Sequence, residues 1–173
     1  MTTNEAIAFL TAHQPMPPDD MGTQEEIDQW IESFNHAMQL EPPDPRFISL
    51  FLNSFPERIE IGAYQNVDSL LARYEADIVV PELISALDSS NPSIQGFAAQ
   101  FSRHYPDPRL ISPLLAALNS RFADSRAFAA MSLASQLGPL IDQALTEALR
   151  RERDPDVRES IEDTIAERLG IEP

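Results

Sequence analysis

The sequence predicts an all-α protein built as a short solenoid, a superhelix of antiparallel helix pairs. One observation is a duplicated segment, because residues 43–49 (PDPRFIS) return as residues 106–112 (PDPRLIS). Another is a period of 31 residues that repeats the same residue types in register: Leu83, Leu114 and Leu145; Ala86, Ala117 and Ala148; Leu87, Leu118 and Leu149. Such periods indicate stacked units that bury their apolar faces against one another. Apolar residues elsewhere follow helical spacing, without a convincing strand pattern.

Residues 1–42 are expected to form two helices outside the repeats, which would cap the N-terminal side of the solenoid. A short apolar segment gives the first helix, and a proline-rich loop follows it. Thr23 and Glu26 form a capping-box sequence in front of the second helix, which ends at Pro42. Trp30 lies on the apolar face of that helix. We interpret it as a core residue, with an interface anchor as the alternative.

Residues 43–169 are predicted to hold about four helix pairs, and the whole chain, 1–173, to form one domain. First helices are expected near 45–54, 78–88, 109–119 and 139–150, and second helices near 63–75, 92–104, 124–137 and 155–169. Three junctions are expected to supply the turn and cap between paired helices: Asn91-Pro92-Ser93, Ala123-Asp124-Ser125 and Asp154-Pro155-Asp156. The last helix carries many charged residues, which is typical of a terminal repeat with a polar outer face.

These repeats resemble HEAT-like repeats, especially the short variety of the phycobilin lyases. That pattern begins with Asp-Pro, continues through a helix that ends in Ala-Leu, and reaches a second junction of the form Asp-Pro-x-Val-Arg. Residues 107–111, 114–118 and 154–158 match its three parts. The likeness is strong over about 76–169 and weaker over 44–75. It specifies a structural family well and an activity hardly at all.

The net charge of −16 is the most unusual property of the composition. Residues 1–90 carry 16 acidic residues against 3 arginines, residues 91–173 carry 12 against 9, and the chain has no lysine. Such a field repels nucleic acids and anionic membranes, and it speeds encounter with a basic partner. We therefore expect a basic protein partner, and no nucleic acid or membrane. The alternative interpretation is that the charge only keeps the protein in solution.

The sequence shows no catalytic or cofactor-binding motif. The chain has no cysteine, and its five glycines form neither a phosphate-binding loop nor a nucleophile elbow. Glu32 and His36 share one helical face but lack further ligands for a metal. We therefore predict no enzymatic activity, no metal and no cofactor. The N-terminal residues lack the features of a signal peptide, and no segment is apolar enough to span a membrane, so we expect a cytoplasmic protein.

Small acidic single-domain proteins of this kind look like the immunity proteins that neutralise bacterial toxins, some of which resemble HEAT repeats. The resemblance implies a non-catalytic protein that captures a basic toxin domain by electrostatic steering and covers its active site. Two alternatives stay open. One is a general HEAT-repeat scaffold or assembly factor, and the other, with less support, is a chromophore-lyase-type subunit.

The candidate partner-binding residues come from two parts of the chain. In HEAT-like solenoids the second helix of each pair usually lines the concave face, which makes the polar residues of those helices candidates: Gln95, Gln100, Arg103, Arg126, Gln136, Glu159, Glu162 and Asp163. The second group consists of acidic residues within 50–75: Glu57, Glu60 and Asp68. Residues 56–65 interrupt the regular array with a proline and a glycine. We interpret this segment as a functional irregularity, with a kinked helix as the alternative.

Overall fold

The computed structural model of the chain describes residues 1–17, 21–56 and 66–171. These residues form ten α-helices and contain no β-strand, which confirms the all-α prediction. None of the described helices is both long and apolar enough to cross a membrane. The chain divides into two compact units, Met1–Glu82 and Leu83–Pro173. A single domain over 1–173 stays a prediction.

The first unit contains α1 (Thr3–Ala12), α2 (Gln24–Gln39), α3 (Arg46–Leu52) and α4 (Val67–Leu71), and the division between the units falls within α5 (Ala76–Leu87). The predicted capping box is confirmed. The amide of Glu26 donates to the Thr23 hydroxyl at 3.2 Å, and the amide of Thr23 donates to the Glu26 carboxylate at 2.7 Å. A second capping box, which the sequence analysis missed, joins Thr2 to Glu5 at the start of α1.

The core of the first unit is aromatic. Trp30 is 2% exposed, and its indole N–H donates to the Ser54 hydroxyl at 3.0 Å. Its ring lies edge-on to Phe51, with the ring centroids 5.3 Å apart, and stacks on Phe34 at 5.7 Å. Aromatic pairs in these geometries add stability beyond the area that they bury. The interpretation of Trp30 as a core residue is confirmed.

The second unit holds the helix pairs in the predicted order. The second helices are α6 (Pro92–Ser102), α8 (Ala123–Leu133) and α10 (Pro155–Leu169), and α7 (Pro108–Ala117) and α9 (Ile141–Arg151) are first helices. α8 packs against both α6 and α10, and α7 packs against α9. Leu83, Leu114 and Leu145 are fully buried. The period in the sequence is therefore the period of the buried core.

Two of the three predicted junction caps are confirmed and one is wrong. The Asn91 side chain accepts from the first amides of α6 at 2.9 and 3.2 Å, and the Asp154 side chain accepts from those of α10 at 3.0 and 3.3 Å. At Ala123-Asp124-Ser125 the N-cap is instead Phe122, whose side chain makes no capping bond. Ser125 lies inside α8 and faces Gly96, where an added Cβ would be 3.9 Å from its hydroxyl oxygen. Gly96 of α6 and Ser125 of α8 are therefore neighbours at the contact between the two helices.

Both copies of the duplicated segment adopt the same local structure. The Arg46 guanidinium donates to the Asp44 carboxylate at 2.5 and 3.0 Å, and the Arg46 amide donates to it at 3.0 Å. The corresponding bonds from Arg109 to Asp107 measure 2.7, 3.0 and 2.8 Å. Bonds from the arginines hold the pKa of both carboxyl groups below its usual range. The repeated letters thus encode the same Asp–Arg bonds in front of a helix, which begins at Arg46 in the first copy and at Pro108 in the second.

Candidate functional site

The second helices of the second unit enclose a groove of about 430 Å³, the second-helix groove. α10 contributes four of its residues, the end of α8 and the turn after it contribute three, and one residue directly follows α6. The lining consists of Arg103, Met131, Ala134, Ser135, Ser160, Asp163, Thr164 and Glu167. Every one of these residues belongs to the second unit.

Two carboxylates of the groove come from one face of α10. Asp163 and Glu167 are four residues apart, so they are neighbours on the helix surface, and both are exposed. Neither forms an ion pair with any residue that the structure describes. Arg103 is also exposed and, within the same described part of the chain, has no ion-pair partner. The groove therefore offers both signs of charge, with the negative sign in excess.

Hydroxyl groups add hydrogen-bond acceptors to the groove. Ser135, Ser160 and Thr164 donate to backbone carbonyls of their own segments at 3.0, 2.9 and 2.7 Å. Because each hydroxyl proton is used internally, the lone pairs of Ser135 and Ser160 remain to accept hydrogen bonds from a ligand, whereas Thr164 is only 2% exposed. Together with the two carboxylates, these oxygens suit a cationic group that carries several N–H donors.

The arginines of α10 make internal bonds, whereas the carboxylates of this helix face solvent. Arg158 donates to the Leu149 carbonyl at 2.8 Å, and Arg168 donates to the carbonyls of Leu133 and Gln136 at 2.9 and 2.8 Å. Five carboxylates of α10 are exposed: Asp156, Glu159, Glu162, Asp163 and Glu167. Of these, Glu162 pairs with Arg158 at 3.2 Å. The surface of α10 therefore presents an excess of negative charge.

The structure brings two predicted binding residues, Arg103 and Asp163, into the second-helix groove. Glu159 and Glu162 are exposed on the same helix as Asp163, and Gln100 is half-buried on α6. A role of these five residues in partner binding stays a prediction.

Three other predicted residues bond to the interior of the second unit. Gln136 is 1% exposed, and its side-chain amide donates to the Tyr105 carbonyl at 2.9 Å. The Arg126 guanidinium donates to the Glu152 carboxylate at 2.6 and 2.9 Å. Gln95 donates to the last carbonyl of α5 at 2.8 Å. These side chains connect helices of the repeats, and almost none of Gln136 is left for contact with a partner.

The acidic candidates of residues 50–75 belong to the first unit. Asp68 is exposed on α4, where its carboxylate accepts from the amide of Ser69 at 2.7 Å. Glu57 and Glu60 lie outside the described residues, as does nearly all of the segment 56–65. The predicted role of this group stays a prediction.

Sequence reasoning missed Glu167, Met131 and the three hydroxyl groups of the groove. Glu167 lies one helical turn after Asp163, so the four-residue spacing was a signal that could have found it. Met131 is 41% exposed, although it lies in an alanine-rich helix with the composition of a packing face. No sequence signal separates it from its buried neighbours.

Glu32 and His36 both contact other residues of the first unit. The His36 ring nitrogen lies 2.9 Å from the Thr3 hydroxyl, and the Glu32 carboxylate lies 3.0 Å from the amino group of Met1. In the described part of the chain, no three His, Asp or Glu side chains are grouped so that they could hold a metal ion.

Comparison with known proteins identifies the family of the repeats. The model of the HEAT-repeat family matches residues 80–166, which is half of the chain. No curated protein matches the chain. The matched range covers nearly all of the helix pairs that build the second-helix groove. HEAT repeats stack into extended surfaces that serve as protein-interaction scaffolds. The chain therefore belongs to the HEAT-repeat family.

Proposed function

We propose that this HEAT-repeat protein is a non-catalytic binding protein, and that α10 and the second-helix groove receive a basic surface of another protein. One observation carries the proposal. The arginines of α10 are engaged in internal bonds, while five carboxylates of the same helix are exposed. The helix therefore presents its negative charge to solvent.

The physical basis is electrostatic complementarity. A surface of one sign raises the rate at which a partner of opposite sign arrives, and it fixes the orientation of the encounter. The net charge of −16 adds a long-range attraction for a basic protein. The oxygen acceptors of the groove would then bond the Arg or Lys side chains of that partner at close range.

The specific role that we propose is that of an immunity protein, which covers the active site of a basic toxin domain. In this proposal the protein acts in the cytoplasm, where such a toxin would otherwise reach its target. The support for it is the combination of strong acidity and a HEAT-repeat binding surface.

The first experiment identifies the partner and then measures its association. Tagged protein is captured from its native cells and washed at low and at high salt, and mass spectrometry identifies what is retained. The triple variant Glu159→Gln, Asp163→Asn, Glu167→Gln should then slow association with that partner by about tenfold at low salt, because steering depends on local charge. Stopped-flow fluorescence measures the association rate.

The matched control removes the same charge from exposed carboxylates that lie outside both α10 and the groove. The variant Asp88→Asn, Asp124→Asn, Glu147→Gln changes the net charge equally. It should reduce the rate less than the α10 variant does. Equal rates for the two variants would show that only total charge matters and would remove α10 from the proposal.

A growth assay tests the immunity role separately. Cells that express the toxin encoded beside the gene should survive when this protein is co-expressed, and survival should fall with the α10 variant. Death of the cells at full co-expression would exclude the immunity role, while the binding proposal would still depend on the capture experiment.

Exposed apolar residues favour a second candidate function, a scaffold with an apolar contact. Leu137, Leu140 and Leu169 are 91%, 63% and 64% exposed in the second unit. A partner that binds there would be retained at high salt, because salt screens charge and does not weaken apolar contact. A single basic partner lost at high salt favours the immunity role, and a salt-resistant apolar partner favours the scaffold. Absorbance after mixing with a bilin tests the lyase-type alternative.

A further inference from the structure

A second cleft in the same unit has the opposite charge. It has a volume of about 350 Å³ and lies where the turn after α7 meets the end of α9. Two apolar residues of its lining, Leu118 and Ala148, are each 6% exposed. The polar part of the lining includes Asn119, Arg151 and Arg153. We refer to this feature as the arginine cleft.

The carboxylate that lines the arginine cleft is fully engaged within the fold. Glu152 accepts from the Arg126 guanidinium at 2.6 and 2.9 Å and from the amides of Arg153 and Asp154 at 2.9 and 3.0 Å. These bonds lower the pKa of Glu152 to about 2. Its side chain is 8% exposed and that of Arg126 is 18% exposed. The pair is neutral as a unit, so Glu152 does not compete for the other arginines of the cleft.

Two guanidinium groups of the cleft remain available to a ligand. Arg153 is exposed, and its guanidinium bonds to none of the residues that the structure describes. Arg151 is also exposed and uses only Nε, which donates to the Glu147 carbonyl at 3.2 Å. Two positive charges therefore share one small cleft in a chain whose net charge is −16.

Stabilisation of a helix end does not account for this arrangement. Cations in the last turn of a helix interact favourably with its negative end. That effect explains Arg150 and Arg151, which end α9. It does not explain Arg153, which lies beyond the helix and lines the cleft.

We propose that the arginine cleft binds a phosphate monoester. The planar fork of guanidinium donors matches phosphoryl oxygens, and two such groups match the double charge that a monoester carries near neutral pH. The negative field of the whole protein repels every anion, but it repels the many phosphates of a nucleic acid far more strongly than one compact dianion, so the single dianion is the ligand that suits the cleft. This proposal is independent of the proposed function, because it concerns other residues and a ligand of opposite charge.

The test follows the arginine side chains directly. Nε–H signals of the full-length protein are recorded by NMR during titration with sodium phosphate, with sodium chloride at equal ionic strength as the reference. We expect saturable shifts at Arg151 and Arg153 with phosphate and none with chloride. Each single variant, Arg151→Gln or Arg153→Gln, should weaken phosphate binding about tenfold, since one set of charge-assisted bonds is lost.

Arg150→Gln is the matched control, because it removes the same charge from an exposed residue at the end of α9 that does not line the cleft. It should leave the affinity for phosphate within about twofold, because long-range charge alone acts weakly in salt. Shifts that do not saturate, shifts of equal size with chloride, or equal losses in all three variants would overturn the proposal.

A further titration distinguishes two sources of the phosphoryl group. The peptide Gly-phosphoSer-Gly is compared with free phosphate and with unphosphorylated Gly-Ser-Gly. Tighter binding of the phosphopeptide assigns the cleft to a phosphorylated protein segment, and equal binding assigns it to free or small-molecule phosphate. Binding of the unphosphorylated peptide as tightly as the phosphopeptide would overturn the proposal.

Discussion

Single polar residues at one repeated position hold the helix pairs together. Gln95, Arg126 and Arg158 are each the fourth residue of a second helix. Each donates to a carbonyl at or just beyond the end of the preceding first helix, at 2.8, 3.0 and 2.8 Å. The last carbonyls of a helix lack partners within that helix. These side chains therefore join the end of each first helix to the start of the second helix that follows it.

The ion pair between Arg126 and Glu152 gives a stability prediction. Replacing Glu152 with Gln should reduce the free energy of unfolding by about 3 kcal/mol, because it leaves a mostly buried guanidinium without its counter-ion. Urea denaturation at neutral pH measures the change. Glu162→Gln removes a carboxylate from an exposed pair with Arg158 and should have little effect. Equal losses in the two variants would contradict the prediction.

The same carboxyl group predicts how stability depends on acid pH. The pKa of Glu152 is about 2 in the folded protein and 4.5 in its ordinary state. The pair therefore stabilises the fold fully above pH 4.5, and this contribution is lost as the pH falls towards 2. The free energy of unfolding of the natural protein should fall more steeply over that range than that of Glu152→Gln. If the free energy of unfolding fell equally with pH in the two proteins, Glu152 would not be the source of the acid dependence.

Two buried serines of α8 are expected to respond oppositely to substitution. The Ser132 hydroxyl donates to the Ala99 carbonyl at 2.5 Å, whereas the buried Ser125 hydroxyl has no partner in the described part of the chain. Ser132→Ala should destabilise the protein by about 1 kcal/mol, and Ser125→Ala should be neutral or stabilise it by up to about 1 kcal/mol. Thermal unfolding measures the stability of both variants. A greater loss of stability in Ser125→Ala than in Ser132→Ala would contradict the prediction.

At the scale of the helix, the duplicated Asp-Pro-Arg segment predicts a cost for loss of a cap. The Asp107 side chain accepts from the amide of Arg109 at 2.8 Å at the start of α7. Asp107→Ala should lower the free energy of unfolding by about 1 kcal/mol, and Asp107→Asn should cost less because its amide oxygen can still cap the helix. Chemical denaturation compares the two variants. Equal costs would show that the charge matters more than the cap.

The helix pairs could be predicted because a buried core imposes its period on the sequence, as Leu83, Leu114 and Leu145 show. The start of α8 could not, because a run of Ala, Asp and Ser does not reveal which residue faces a neighbouring helix. Ser125 looks like a cap in the sequence, yet its hydroxyl is buried opposite Gly96. The start of α8 is therefore set by packing between helices rather than by the preference of Asp and Ser for N-cap positions.

The candidate site could be predicted only in part, for a related reason. Gln136 and Asp163 are both polar residues in or beside second helices. The sequence pattern therefore predicts both as binding residues and contains nothing that distinguishes them. The Tyr105 carbonyl, from another part of the chain, bonds to Gln136 and removes it from the surface. Within the described ranges no residue bonds to the Asp163 side chain, which lines the groove. Only the fold shows which carbonyls need a side-chain donor.

At the scale of the whole molecule, the charge of −16 predicts an unusual response to salt. Repulsion among like charges destabilises the folded state, and salt at about 0.15 M screens charges over roughly 8 Å. The Tm should therefore rise by about 2–4 °C between low and physiological salt, which corresponds to about 1 kcal/mol for a chain of this size. Scanning calorimetry in sodium chloride measures it. A falling Tm would mean that the ion pairs outweigh the repulsion.

The bonds of Arg168 have a consequence for how the repeats open. This side chain joins the end of α10 to the Leu133 and Gln136 carbonyls and, at 2.5 Å, to the Asp142 carboxylate. The terminal turns of helices are normally among the first parts of a protein to exchange their amide hydrogens for deuterium. Here the last turn of α10 can separate from the turn after α8 only when these Arg168 bonds break. Its amides should therefore exchange as slowly as those of the helices beneath it.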